Sequence, residues 1–276
     1  MNKIAVMTSE CAQASRAVCD LVERNADRVA VVITSDMERP ARGGKLHQAI
    51  ENYRRSGLAF CGYLLYSFLF YFWYVAADRW RARLTRSPRR RVTLEELCRS
   101  RAIRYVETTD VNGPEALAAL RAEELDFIVI YWFDQIIRED VIQVPRRAVI
   151  NVHAAPLPQC RGLFPVLFSA TKNRWQFGIT AHEVTDTTID NGPVLAQTLL
   201  TPPHGRSVLW YDDYVNRAGV DMTCRVLDEF DAYHANCVEF GEGSYFSYPS
   251  RSDVAEARRA GLKLFTVRDF FAVCDS

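Results

Sequence analysis

The chain has 276 residues, 49% of them hydrophobic, which suits one large domain with an appendage and argues against disorder. Lysine plus arginine and aspartate plus glutamate number 34 each, so no net charge draws the chain to nucleic acid or acidic partners, and a small-molecule substrate fits better. Eight cysteines are scattered without a CxxC pair, and Lys3-Ile4-Ala5-Val6-Met7 reads as a strand rather than a signal peptide, so a reducing, cytoplasmic setting is expected.

The first third alternates strand and helix. Residues 4–7 form a short apolar run. Residues 14–24 place Ala14, Ala17, Val18, Leu21 and Val22 on one helical face, and 29–34 is a β-branched run. That is a βαβ unit, which implies a parallel sheet with a right-handed crossover. Thr8-Ser9-Glu10-Cys11 occupies the first turn where a dinucleotide site would carry GxGxxG, so that reading has no support.

Residues 58–77 are twenty uncharged, aromatic-rich positions, long enough for a transmembrane helix. Arginines flank both ends (Arg54 and Arg55; Arg79, Arg81 and Arg83), and strand signals resume downstream as if one sheet continued. The preferred reading is a buried or dimer-forming helix, in which Tyr63, Tyr66, Ser67, Tyr71 and Tyr74 satisfy their polar tips. Peripheral membrane contact through 58–91, using the basic run 79–91, comes second, and a true span last.

From Val92 the alternation returns, with helices expected over 94–101 and 113–123, the latter with Pro114 in its first turn, and a strand over 103–107. Residues 126–133 read as a central parallel strand, and 148–153 as the next. This last strand ends in Asn151 and His153, two residues apart, whose side chains therefore share a side of the sheet. Amide and imidazole donors at the carboxyl end of a buried strand suit a site that holds developing negative charge on an oxygen. A turn at 159–165, a helix over 166–170, a strand over 178–184 carrying His182, a loop over 185–193 and a strand over 194–200 follow.

Asn151-Val152-His153, Leu157-Pro158, Gly162, His182-Glu183-Val184 and Asp190-Asn191-Gly192-Pro193 together resemble the 10-formyltetrahydrofolate-dependent formyltransferases, in that family's order over roughly 3–200. The family includes the phosphoribosylglycinamide, methionyl-tRNA and sugar N-formyltransferases. Ala154-Ala155 departs from the family, which often carries a serine after the histidine, and the aromatic helix lies outside its minimal core. The resemblance implies an α/β, Rossmann-like fold with a mostly parallel central sheet flanked by helices. A catalytic domain over 1–233, with a helical insertion at about 52–84, would be followed by a short C-terminal extension over 234–276.

The resemblance also implies an enzyme that moves a formyl group from 10-formyltetrahydrofolate to the amine of a small metabolite, an amino sugar or biosynthetic amine. Asn151 and His153 would hold the tetrahedral oxyanion, and Asp190 beside the imidazole would favour its charged donor form or relay the amine proton through water. The folate would lie among Phe133, Gln135, Ile136 and Ile137 and Thr185, Asp186, Thr187 and Thr188. Gly162, Leu163 and Phe164 would border the amine. His182 is expected to be structural, buried near that pocket. Alternatives on the same fold are a formyltetrahydrofolate hydrolase, with water as nucleophile, and a noncatalytic or membrane-peripheral interaction protein.

Cys160 beside His153 lacks a third group for a nucleophile pair, and His234 with Cys237 lacks a second ligand pair, so no metal is expected. A helix over 208–233, an extended or hairpin segment over 241–249 and a Ser250-capped helix over 251–260 complete the chain. No tRNA-binding barrel is recognisable there, so no nucleic acid partner is expected, while a homodimer is compatible with the aromatic helix.

Overall fold

In the computed structural model, which describes residues 2–36 and 44–275, β1 (Ile4–Thr8), α1 (Ser15–Arg24) and β2 (Val29–Ser35) form the expected βαβ unit. An excursion of helices follows: α2 (Gly44–Ser56), α3 (Leu58–Leu64), a π turn (Leu65–Phe70) and α4 (Tyr71–Thr85), the last three one continuous rod. Then come α5 (Leu94–Ser100), β3 (Arg104–Thr108), α6 (Pro114–Arg121), β4 (Phe127–Tyr131), α7 (Glu139–Ile142) and β5 (Ala148–His153). The chain continues through β6 (Arg161–Gly162), α8 (Pro165–Thr171), β7 (Phe177–Glu183), β8 (Val194–Leu200), α9 (Val208–Asp228) and α10 (Phe230–Ala235). It ends with β9 (Tyr245–Phe246), α11 (Arg251–Arg259) and α12 (Val267–Asp275).

Seven strands form one sheet in the order β3-β2-β1-β4-β5-β7-β8, parallel from β3 to β5 and antiparallel across β5, β7 and β8. The order reverses between β1 and β4, and in such sheets the crevice at the strands' carboxyl ends is where ligands bind. Here Ser9 after β1 donates its N–H to the Trp132 carbonyl after β4 at 2.9 Å, and its hydroxyl to Asp134 at 2.9 Å.

The alternation of side chains divides each strand between two cores. Ile4, Val6, Val129, Ile150 and Val152 join α1 and α9 on one face, while Ala5, Met7, Ile128, Ile130 and Val149 join α6 and α7 on the other. Each fully buried aliphatic side chain contributes roughly 1.5–3 kcal/mol, so both faces hold the sheet firmly. By the same parity Asn151 and His153 fall on the face of Val149.

The aromatic rod is buried on one side only. Phe60, Tyr63, Ser67, Tyr71, Val75 and Asp78, spaced by three or four residues, face the domain. The opposite stripe meets solvent in the single chain, so of the expected buried or dimer-forming helix this chain itself buries one side. A polar chain anchors the inner face: Gln13 donates to the Tyr63 hydroxyl at 2.9 Å and to Ser67 at 2.5 Å, and Tyr63 donates to Asp212 on α9 at 2.6 Å. Burial pushes the Asp212 carboxyl up to about 7.

One other expectation changes, and another narrows to its extended alternative. The helix over 208–233 breaks at Glu229, where the backbone leaves helical angles and turns the Phe230 ring onto Phe127 at 5.0 Å between centroids. The segment 241–249 is extended but forms no hairpin: Tyr245–Phe246 pairs in parallel with Arg161–Gly162, far upstream. Ser250 caps α11, its hydroxyl accepting from Asp253 N–H, as its spacing to Asp253 predicts.

Candidate active site

Asn151 and His153 stand on the last turns of β5's pleat, and antiparallel pairing sets His182 of β7 directly across from Asn151. Directly opposed residues share a face of the sheet, so three polar side chains gather at one strand end. Asp190 reaches them from the loop between β7 and β8. That loop doubles back tightly, with Glu183 N–H donating to the Pro193 carbonyl at 2.9 Å. Gly192 is required there, because a Cβ would stand 1.8 Å from the Glu183 carbonyl oxygen. Asp190 itself adopts a left-handed φ of 50°, a conformation that Asp and Asn tolerate best among side-chain-bearing residues.

The carboxylate of Asp190 is the hub. Its Oδ1 accepts the Asn151 side-chain amide at 2.8 Å and lies 3.4 Å from His182 Nε2; its Oδ2 accepts the Gly162 backbone N–H at 2.8 Å and lies 3.4 Å from His153 Nδ1. The residue is 9% exposed. Burial opposes its charge, but His153, His182 and the Gly162 N–H together hold the carboxyl well below the usual carboxylate range.

Hydrogen bonding also assigns the donors. A carboxylate only accepts, so Asp190 fixes the amide flip of Asn151, whose side-chain nitrogen also lies 3.0 Å from His182 Nε2. His182 Nδ1 donates to the Glu183 carbonyl at 2.9 Å, a bond that fixes the ring's orientation. His153 has acceptors at both ring nitrogens: the Asp190 carboxylate at Nδ1 and the Cys160 carbonyl, 2.9 Å away, at Nε2. A carbonyl only accepts, so His153 Nε2 carries the hydrogen of that bond and is the ring's donor.

Gly162, Leu163 and Phe164 lie on the segment that closes this cluster. Gly162 holds Asp190, Leu163 N–H donates to the Phe246 carbonyl at 2.9 Å, and the Phe164 ring stands 5.0 Å from Phe60, 6.2 Å from Tyr63 and 5.5 Å from Tyr248. The expected amine side is therefore walled by the aromatic rod and by the chain after β9.

Among the other expected residues, Phe133 packs on the same core as Val184, so the loops after β4 and β7 flank one face of the sheet. Ile136 is 59% exposed and Thr185, Asp186, Thr187 and Thr188 are exposed, Asp186 accepting the Thr188 N–H at 2.6 Å. Gln135 and Ile137 serve the fold: the Gln135 amide accepts from Val111 N–H at 2.8 Å and donates to Ser35 at 3.0 Å, and Ile137 is buried.

Cys160 offers His153 a carbonyl rather than a thiol, and burial pushes that thiol up, away from a reactive thiolate. His234 Nδ1 pairs with Glu183 Oε1 at 2.5 Å. Among the described residues no cluster of three or more His, Cys, Asp or Glu is placed to hold a metal. Sequence reasoning missed His182 as a direct partner of Asn151. The signal for it was an alternation parity shared by two strands whose register only the fold reveals.

Comparison with known proteins fits this geometry. The Formyl transferase family model matches residues 75–219, more than half of the chain. The chain is 32% identical over 124 residues to the methionyl-tRNA formyltransferase of Halorhodospira halophila, an alignment covering 43% of this chain and 40% of that protein. It spans less than half the length of the curated relatives it matches. In three dimensions it is similar to phosphoribosylglycinamide formyltransferase from Bacillus halodurans, with a TM-score of 0.54, 14% identity, and 87% of this chain and 100% of that chain covered. It is also similar to an N-formyltransferase from Helicobacter canadensis, determined with folinic acid and dTDP-3-aminofucose, with a TM-score of 0.51, 16% identity, and 92% and 72% covered. The chain belongs to the formyl transferase family.

Proposed function

We propose that this chain transfers the formyl group of 10-formyltetrahydrofolate to the primary amine of a small metabolite, with a nucleotide-linked amino sugar the first acceptor class to test. The observation that carries the reading is the convergence of Asn151, His153 and Asp190 at one strand end, in a chain of the formyl transferase family. The similarity in fold to a protein determined with folinic acid and an aminosugar nucleotide supports the choice of donor and acceptor.

The face between the loops after β4 and β7 suits the folate. Exposed Ile136 and half-buried Phe133 offer apolar surface, and Thr185 to Thr188 offer backbone and hydroxyl groups to a heterocycle. The folate supplies an activated formyl group on N10. The amine nitrogen attacks the formyl carbon, the carbonyl electron pair moves to oxygen, and the new C–N bond makes a tetrahedral oxyanion. His153 Nε2–H donates to that oxygen in place of the Cys160 carbonyl, and the Asn151 amide adds a second dipole. Each such donor contributes roughly a hundred- to a thousandfold in rate.

Asp190 faces His153 Nδ1 and keeps Asn151 oriented. The amine proton leaves through a water that relays it toward the Asp190 carboxylate, which stays a stronger base than water even when held below its ordinary range. Collapse of the intermediate breaks the C–N10 bond; N10 takes a proton, leaving tetrahydrofolate and the formamide.

The test is incubation with 10-formyltetrahydrofolate and a library of amine metabolites, read by mass spectrometry. A formyl mass gain on an acceptor, with equimolar tetrahydrofolate, is expected. Folate turnover without any acceptor product would instead make the protein a hydrolase.

A further inference from the structure

The outward stripe of the rod formed by Leu58–Thr85 is the feature that the proposed chemistry does not use. Leu65, Leu69, Phe72, Trp73, Trp80 and Leu84 recur at helical spacing on it, Trp73 and Trp80 each 63% exposed and Leu84 81% exposed. So large a run of exposed aromatic and aliphatic side chains on one helix marks an interaction surface.

Arginine dominates its charges. Between residues 58 and 91 the chain carries seven arginines and one carboxylate, Asp78. Asp78 is buried on the inner face, where Arg81 and the Arg90 and Arg91 N–H groups occupy it. Arg79, Arg83 and Arg89, with Ala82 and Glu96, line an open cleft of about 370 Å³ at the end of the apolar stripe. Glu96 balances Arg79 and Arg89, whereas Arg83 lies 5.7 Å from the Trp80 ring and pairs with no carboxylate among the described residues.

From this juxtaposition we infer that the rod docks flat on an anionic phospholipid bilayer, its apolar stripe entering the acyl boundary and its arginines meeting lipid phosphates. Tryptophan rings, apolar at the body and polar at one tip, favour that depth, and cationic side chains beside them gain from a negatively charged leaflet. The rod lies on the bilayer rather than crossing it. Its inner face is bonded to the domain through Gln13, Tyr63 and Asp212, and withdrawal would strand these buried polar groups.

The experiment is vesicle flotation of the full chain, comparing neutral phosphatidylcholine with vesicles containing about 30% phosphatidylglycerol. Expected is at least about tenfold more protein floating with the anionic vesicles, falling about tenfold in about 0.5 M salt. Trp73→Glu/Trp80→Glu and Arg83→Glu should each lose this binding while keeping the wild-type circular dichroism spectrum and unfolding midpoint. Brominated lipids should quench the wild-type tryptophan fluorescence. The inference is overturned by equal recovery with neutral and anionic vesicles, by no flotation, or by unchanged binding in either variant. It is overturned equally if sedimentation finds a wild-type dimer that Trp73→Glu/Trp80→Glu dissociates while vesicles capture nothing, because a second copy then covers the stripe.

Discussion

Asp190 accepts the side-chain amide of Asn151 at 2.8 Å, and this one bond decides which way the amide faces. It ties a loop delivered after β7 to the end of β5, and the same carboxylate reaches His153 through its other oxygen. Asp190→Asn tests the charge without disturbing the backbone, since asparagine also tolerates the left-handed φ of 50° at this position. The variant should retain its fold and lose about a hundred- to a thousandfold in kcat for formyl transfer. Folate binding, measured by fluorescence titration, should change little. Unaltered kcat would mean that the carboxylate does not organise the donors.

Much of this site was legible before the fold was known, and for a physical reason. The strand Ala148–His153 has the bounds expected from its apolar run, and its period-two geometry already placed Asn151 and His153 on one side. The partnership of Asn151 with His182 was not legible, because antiparallel register between strands so far apart depends on how the intervening helix and turns pack. Composition alone likewise could not say that the aromatic rod buries Tyr63 and Tyr71 while exposing Trp73 and Trp80. Pairing of Tyr245–Phe246 with Arg161–Gly162 rests on two short extended pieces that carry almost no local pattern.

Acid sensitivity follows from the same carboxylate. Burial works against its charge, yet His153, His182 and the Gly162 N–H hold it below the ordinary range, so the folded state favours the ionised form. The stability this contributes is present above the unfolded value near 4 and is lost as pH falls further. Urea unfolding should find Asp190→Asn less stable than wild type by about 1–3 kcal/mol at pH near 7, with the gap closing below about pH 4. A gap independent of pH would contradict the assigned partners.

The anchor of the aromatic rod makes the opposite prediction. Burial raises Asp212 to about 7, and the Tyr63 hydroxyl, donating at 2.6 Å, is the bond that limits the rise. A raised carboxyl favours its protonated form in the folded state, so its contribution is present below about pH 4 and lost as pH rises through about 7. Tyr63→Phe removes that donor and should cost about 1–3 kcal/mol, more at pH near 8 than at pH near 5, by urea midpoints. Equal losses at both pH values would show that Asp212 is not the group affected.

Gly162 joins the site to the wall over it. Its φ of +96° and the Phe246 carbonyl oxygen, which would lie 2.0 Å from an added Cβ, leave no room for a side chain. Gly162→Ala should separate β6 from β9 and pull the backbone N–H from Asp190, lowering kcat at least about tenfold. The seven-stranded sheet is untouched, so the far-ultraviolet circular dichroism should match wild type. Wild-type activity in this variant would detach the wall from the chemistry.

Asn151, His153 and Asp190 acting as one acyl-transfer site predicts acceptor-dependent release of tetrahydrofolate. With a competent amine, the wild-type protein should release tetrahydrofolate and formamide in equal amounts. Asn151→Ala, His153→Ala and Asp190→Asn should each fall by about a hundredfold or more, and the doubly substituted Asn151→Ala/His153→Ala protein by much less than the product of the single losses. Near-wild-type release in any of the three single variants would contradict the account.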